Sequence, residues 1–158
     1  MNIEVRRVRQ SDVNAILSLM FEFAEELEIA DLYEADENSL SGVMFGEHPF
    51  VGGLLALEDS EPVGYVLFFD SFSSFRGQKG VFLEDIFVTK GSRGKGIGEL
   101  LLSAVAKDAK NRDALRMDLL VSATDHQALE FYRKRGGLID PNDRHCKFVD
   151  SAFKRISD

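Results

Sequence analysis

Phe87-Val88-Thr89-Lys90-Gly91-Ser92-Arg93-Gly94-Lys95-Gly96-Ile97-Gly98-Glu99-Leu100-Leu101 opens apolar, turns through four glycines and closes on a helical spacing of Ile97, Leu100 and Leu101. A strand, a glycine turn and a helix in that order build an anion site. The glycine backbone curls so that successive N–H groups converge, and the helix adds the positive end of its dipole. Lys90, Arg93 and Lys95 gather cations at the same place. Spacing separates the common phosphate loops. Gly94-Lys95 runs on into Gly96-Ile97-Gly98 rather than into Ser or Thr, which argues against a nucleoside-triphosphate loop. Gly94, Gly96 and Gly98 stand at every second position, where the dinucleotide fingerprint needs its third glycine one residue later.

Outward from this loop, strand and helix signals alternate with no repeat, low-complexity tract or linker, so one domain over residues 1–158 is expected. Ile3 to Val8 reads as a strand. Ser11-Asp12 then caps a helix with Val13, Ile16, Leu17, Met20, Ala24 and Leu27 on one face. A short helix follows over Glu37 to Phe45, and Val51 to Leu57 and Val63 to Phe69 read as a hairpin about Glu58-Asp59-Ser60-Glu61-Pro62. Gly80 to Val88 alternates Val81, Leu83, Asp85 and Phe87 with Phe82, Glu84, Ile86 and Val88; both faces are largely apolar, which predicts a central strand.

The helix from Gly96 is expected to bury Ile97, Leu100, Leu101, Ala104 and Val105 and to end near Asn111, before a strand over Leu115 to Val121. Asp125 caps a further helix that Gly136-Gly137 stops. Two last strands, Leu138-Ile139 and His145 to Val149, and a C-terminal helix opened by Asp150 or Ser151 complete the reading. The fold class is α/β, a mixed sheet flanked by helices.

Composition bounds the function. Hydrophobic residues make up 44% and charged residues 29% of the chain, ordinary for a globular domain. No apolar run reaches bilayer length and Met1 to Arg6 carries no signal-peptide core, so a cytoplasmic protein without a membrane partner is expected. Cys146 is alone and is expected in the core; His48, His126 and His145 are scattered, which predicts no metal site. At a net charge of −8, nucleic acid is a poor partner. From Gln10 to Phe75 there is no Lys or Arg but a series of acids, among them Glu22, Glu25, Glu26, Glu28 and Glu58. One half of the chain suits a cation and the other a phosphate, although acids in such runs are as often solvated surface.

The pattern Arg93-x-x-Gly96-x-Gly98 between strand and helix resembles the coenzyme-A pyrophosphate loop of the GNAT superfamily of N-acetyltransferases. Asp125-x-x-Ala128-x-x-Phe131-Tyr132 with Gly136-Gly137 resembles a second GNAT segment at the matching distance, with Asp125 where an Asn is usual, so the amide donor offered to the pantetheine arm is absent. Phe45-Gly46-Glu47-His48-Pro49-Phe50 and Leu83-Glu84-Asp85-Ile86-Phe87-Val88 are similar to the diamine (spermidine/spermine) N-acetyltransferases and their thialysine-acetylating relatives. The resemblance implies the GNAT fold, with a central, mostly antiparallel mixed sheet, acetyl-CoA as co-substrate, a small cationic amine as acceptor, and a homodimer.

That chemistry assigns residues. An ammonium near pKa 10 must lose a proton before it attacks the thioester, and Glu84 is the candidate base, directly or through a water, or else only positions the amine. Asp85 reads as structural. Tyr132 stands at the family's general-acid position and protonates the departing thiolate. The resemblance further implies cofactor contacts at Ile86, Phe87, Val88, Arg93, Gly94, Lys95, Gly96, Ile97, Gly98, Glu99, Asp125 and Ala128, and acceptor contacts at Glu26, Glu28, Asp118, Leu119 and Leu120 beside Glu84. Leu27 replaces an acid that faces the acceptor in the polyamine enzymes, which favours a shorter diamine or a lysine-like amine. Acetylation of a protein lysine and a non-catalytic acyl-CoA-binding domain are the alternatives.

Overall fold

A computed structural model describes residues 2–157. The chain forms two compact units, one ending at Leu120 and one beginning at Val121. The first contains β1 (Ile3–Arg7), α1 (Val13–Glu26), α2 (Glu37–Phe45), β2 (Gly52–Glu58), β3 (Glu61–Ser73), β4 (Gln78–Val88), α3 (Ile97–Asn111) and β5 (Arg116–Leu119). The strands lie in sequence order in one sheet; β1 to β4 are antiparallel neighbours, and α3 is the crossover that makes β5 parallel to β4.

Helices cover both faces of this sheet. Val13, Ile16 and Leu19 of α1, with Leu40 and Met44 of α2, pack against Leu55, Leu57, Tyr65, Leu67 and Phe87. Ile97, Leu101, Val105 and Ala109 of α3 pack on the other face against Leu54, Ala56, Val66, Phe68, Val81 and Leu83. The strands are apolar on both sides because both sides are covered. Each fully buried leucine in these layers contributes about 1.5–3 kcal/mol by leaving water.

Several expectations are corrected. Asp12 does not cap α1 through its side chain: a 3₁₀ turn over Gln10–Asp12 intervenes, and its carboxylate takes two hydrogen bonds from the Arg6 guanidinium at 2.7 and 3.0 Å and one from the Arg9 N–H. Leu27 lies past the end of α1 and is half exposed, because Glu28 adopts a left-handed φ of 58° and Ile29 N–H closes back onto Ala24 O at 2.9 Å. On α3 the buried stripe repeats every fourth residue, so Leu100, three residues past Ile97, falls on the margin at 46% exposed.

The alternation along β4 also differs. Leu67 pairs with Asp85 while Phe68 pairs with Leu83, so Glu84 is an extra residue, a β-bulge. Before it Val81 and Leu83 face α3; after it Phe87 faces α1, and Ile86 and Val88 face α3. Val81 and Leu83 therefore do not share a face with Phe87.

The second unit holds α4 (His126–Arg133) and α5 (Asp150–Ser157). The expected strands over Leu138-Ile139 and His145 to Val149 do not form. Asp140, Pro141, Asn142 and Asp143 interrupt the segment with turn chemistry, and Leu138, Phe148 and Val149 are exposed. Cys146 is exposed rather than in a core. Among the described residues no helix is long and apolar enough to cross a membrane.

Candidate active site

Two irregularities of β4 build the candidate site in the first unit. The ladder to β5 stops where Leu83 meets Leu119, and the bulge follows at Glu84. From Glu84 to Val88 the strand is paired with β3 on one side, and among the described residues its other edge has no partner strand, only the Arg93 Nε bond to Val88 O. Backbone N–H and C=O groups on such an edge need partners, which makes it a ready template for an extended ligand. The free edge runs directly into Thr89 and the glycine loop.

The loop is a 3₁₀ turn over Lys90–Ser92 followed by Gly94 at φ 75° and Gly96 at φ 80°, with Gly96 as the N-cap of α3. These left-handed positions need glycine, and they turn the backbone toward the first turn of the helix, where Ile97 is buried and unpaired N–H groups begin. Two of the three cations expected to meet a phosphate are engaged within the protein. Arg93 donates Nε to Val88 O at 2.8 Å and Nη2 to Glu26 at 2.7 Å, and its guanidinium lies 5.5 Å from the Phe87 ring centre. Lys95 donates to both oxygens of Glu58, at 2.6 and 2.8 Å.

The expected acceptor residues divide. Glu26 is bound to Arg93 and so belongs to the loop as much as to an acceptor. Glu28 holds the strained left-handed turn after α1. Asp118 accepts from Arg116 at 2.8 and 2.5 Å, and the Arg116 stem is why residue 80 is glycine, since a Cβ there would meet Arg116 Cγ at 2.6 Å. Leu119 packs toward the α3-side core and Leu120 is exposed. Glu84 is exposed in the bulge. Asp85, read from sequence as structural, is half-buried and accepts a 3.3 Å bond from the hydroxyl of Tyr65, itself fully buried. Burial, and then the neighbouring Glu84 charge, push the Asp85 carboxyl up; burial, and then Asp85, push the Tyr65 phenol up strongly.

Sequence reasoning missed Glu58 and Ser92 as well. Their contact joins the end of β2 to the loop 34 residues later, so nothing local signals it. A cleft of about 440 Å³, lined in part by Pro49, Phe50, Phe68, Asp70 and Arg112, lies at the other end of the sheet from the glycine loop and contains none of the expected catalytic or binding residues.

In the second unit Asp125 caps α4 as expected, accepting from Ala128 N–H at 2.9 Å. Leu129 is buried, and Gly136 at φ 83° ends the helix region. Tyr132 is half buried, and desolvation, followed by the Asp125 charge, raises its phenol above the ordinary value. His126 and His145 are exposed.

A mixed sheet with a free edge that feeds a glycine-rich anion loop defines an acyl-CoA-type transferase fold. The chain belongs to the acetyltransferase (GNAT) family, whose model matches residues 13–137. It is 30% identical to a thialysine N-epsilon-acetyltransferase of Bos taurus over 98% of this chain and 97% of that protein. It is 36% identical to an L-ornithine N5-acetyltransferase of Arabidopsis thaliana over 63% of this chain and 44% of that one. Among solved structures, an integron cassette protein from the mobile metagenome of V. cholerae superposes with a TM-score of 0.82 at 24% identity, covering 99% of this chain and 98% of that one. The protein is an acyltransferase, and its family transfers acetyl groups from acetyl-CoA to amines.

Proposed function

We propose that this protein transfers the acetyl group of acetyl-CoA to the primary amine of a small cationic acceptor, a diamine or a lysine-like amine. The observation that carries the reading is the free edge of β4 from Glu84 to Val88 running into a loop with two left-handed glycines. An extended pantetheine arm pairs with such an edge, and a pyrophosphate takes the converging N–H groups of residues 94–99. On the open edge it is the Val88 N–H that polarises the thioester carbonyl, since the Phe87 N–H, like that of Thr89, points into the ladder with β3.

In this reading Glu84 accepts the ammonium proton, directly or through a water, and the amine nitrogen attacks the thioester carbon. The tetrahedral intermediate then expels the coenzyme-A thiolate, Tyr132 protonates it, and the nitrogen releases its second proton to solvent, which restores the phenol. Exposure of Glu84 at a bulge suits a residue that must meet an incoming solvated amine. Thialysine and L-ornithine each carry a side-chain amine on an amino acid, and Leu27, exposed where the polyamine enzymes have an acid, fits a shorter acceptor than spermine. The same reading includes a cytoplasmic homodimer, checked by light scattering and fractionation.

The test is release of free thiol from acetyl-CoA with putrescine, spermidine, spermine, thialysine, ornithine and lysine peptides. Turnover of a small amine is the expected result. Turnover of lysine peptides alone would transfer the reading to protein acetylation, and coenzyme-A binding without any turnover would make this a non-catalytic acyl-CoA domain.

A further inference from the structure

Glu58 is the last residue of β2, and it precedes a turn in which Asp59 and Ser60 are both left-handed, at φ 50° and 75°. Asn2 fixes that turn from β1's side through a 2.8 Å bond to the Asp59 carboxylate and a 2.9 Å bond from Asp59 N–H. The Glu58 carboxylate, 15% exposed, reaches the glycine loop. Ser92, buried at 5% exposed, donates its hydroxyl to Oε2 at 2.7 Å. Lys95 Nζ donates to both oxygens.

Lys95 stands between the two left-handed glycines, and a Cβ built at either one meets nothing within 4 Å. Packing therefore does nothing to hold the curl between residues 94 and 96, while glycine gives that curl its greatest freedom. A tether is needed on each side of Gly94. Glu58 supplies two, at Ser92 and at Lys95, and Arg93 adds its own bonds to Val88 and Glu26.

We infer that Glu58 is a positioning residue for the donor: it preorganises the anion loop through Ser92 and Lys95, and the pyrophosphate is met by loop N–H groups rather than by the Lys95 charge. This rests on the acetyl-CoA reading above. The rival arrangement, in which Lys95 leaves Glu58 to bind phosphate, predicts the opposite sign. There Glu58 is a competitor, and its removal strengthens donor binding.

The experiment compares Glu58→Ala, Glu58→Gln, Lys95→Met and the Glu58→Ala/Lys95→Met double variant in the full-length protein. Coenzyme-A binding is measured by calorimetry, and turnover with acetyl-CoA is compared with S-acetyl-pantetheine, which lacks the pyrophosphate. Loss of a charged hydrogen-bond partner here should weaken coenzyme A about tenfold in Glu58→Ala and in Lys95→Met, with the double variant no worse than either single. The KM for acetyl-CoA rises, kcat at saturation holds, and kcat/KM for S-acetyl-pantetheine is unchanged. Glu58→Gln keeps an oxygen for Ser92 and the shape of the side chain, so it folds like the parent and loses less, about threefold. Unchanged or tighter coenzyme-A binding in Glu58→Ala and Glu58→Gln overturns the inference, as does an equal loss with S-acetyl-pantetheine, which marks a general structural role. Failure of the parent protein to bind coenzyme A at all overturns the donor reading itself, and this inference with it.

Discussion

Alanine substitutions at Gly91, Gly94 and Gly96 separate backbone conformation from space. At all three positions an added methyl meets no atom within 4 Å, so steric clash contributes nothing. Gly94 and Gly96 have φ of 75° and 80°, whereas Gly91 lies outside the left-handed region. An L-residue held left-handed costs about 1–2 kcal/mol. Replacing glycine also removes unfolded-chain freedom, a gain of about 0.4–1 kcal/mol wherever the native backbone suits alanine. The expected balance is a stabilised Gly91→Ala and a Gly94→Ala or Gly96→Ala destabilised by roughly 1 kcal/mol, a gap of about 1–2 kcal/mol between the two kinds of variant. The loop has a second outlet, since it can escape the strain by leaving the left-handed region, and the N–H groups then cease to converge. The penalty must therefore surface either in urea unfolding or in coenzyme-A affinity measured by calorimetry. Gly94→Ala and Gly96→Ala proteins as stable as Gly91→Ala, with parental coenzyme-A affinity, would refute both the loop geometry and its use.

Further outcomes can be checked one by one. Leu101→Ala removes a fully buried side chain from the α3 layer and should cost about 2–5 kcal/mol in denaturant unfolding, while Leu100→Ala, at a half-exposed position, should stay within about 0.5 kcal/mol. Asp12 and Asp85 should respond with opposite signs. Hydrogen bonding from Arg6 holds the Asp12 carboxyl below its ordinary 3.8, so its stabilisation is present above that value and lost as pH falls through the lower folded value. Asp12→Asn therefore lowers the melting temperature at neutral pH, and the gap to the parent closes in acid. Burial holds the Asp85 carboxyl above 3.8, so ionising it destabilises the fold as pH rises through the folded value; Asp85→Asn raises the melting temperature at neutral pH and not below 3.8. Glu28→Gly relieves a left-handed glutamate and should stabilise the fold by about 1 kcal/mol. If Glu28 also holds the acceptor, the same variant raises the acceptor KM in the thiol-release assay. Tyr132→Phe should lower kcat about a hundredfold with the acetyl-CoA KM little changed; in the parent the raised phenol keeps its proton through the ordinary tyrosine range, so the alkaline limb of kcat lies above about pH 10. Undiminished turnover of Tyr132→Phe across the pH range would remove the general acid.

The parts of the fold that were legible in the sequence are the local ones. Gly94 and Gly96 and the Asp125 cap each depend on residues within a turn or two, and each is found as read; the α3 stripe is found at Ile97, Leu101 and Val105, with Leu100 at its margin. The faces of β4 were not legible, because the bulge at Glu84 is a property of its pairing with Leu67 and Phe68, residues 15 or more positions away. Asp12 carries the local chemistry of an N-cap, yet the Arg6 guanidinium from β1 outbids the helix N–H groups for its carboxylate. Leu138-Ile139 and His145 to Val149 have strand composition without a ladder, which composition alone cannot reveal. Nothing in the sequence ties Glu58 to the glycine loop, because both its partners lie more than 30 residues away.

The uneven charge distribution takes on a more specific meaning in three dimensions. The acid-rich first half of the chain and the cations of the glycine loop look like two binding surfaces in sequence, one for an amine and one for a phosphate. In the fold they are partly bound to each other, Glu26 to Arg93 and Glu58 to Lys95. Two acids from opposite parts of the sheet and helix layer thus neutralise the two cations that flank Gly94. An anion arriving at the loop meets oriented N–H groups with their nearest cations already paired. Its attraction should be short in range and weakly salt-dependent, unlike that of a loop with free lysines. An amine arriving near α1 likewise finds Glu26 engaged. In the proposed reading its recognition falls to Glu84 at the bulge and to Glu28, which is held left-handed after α1. Under that proposal, selectivity for the acceptor rests on two carboxylates set by backbone irregularities rather than on the total acidity of the lobe.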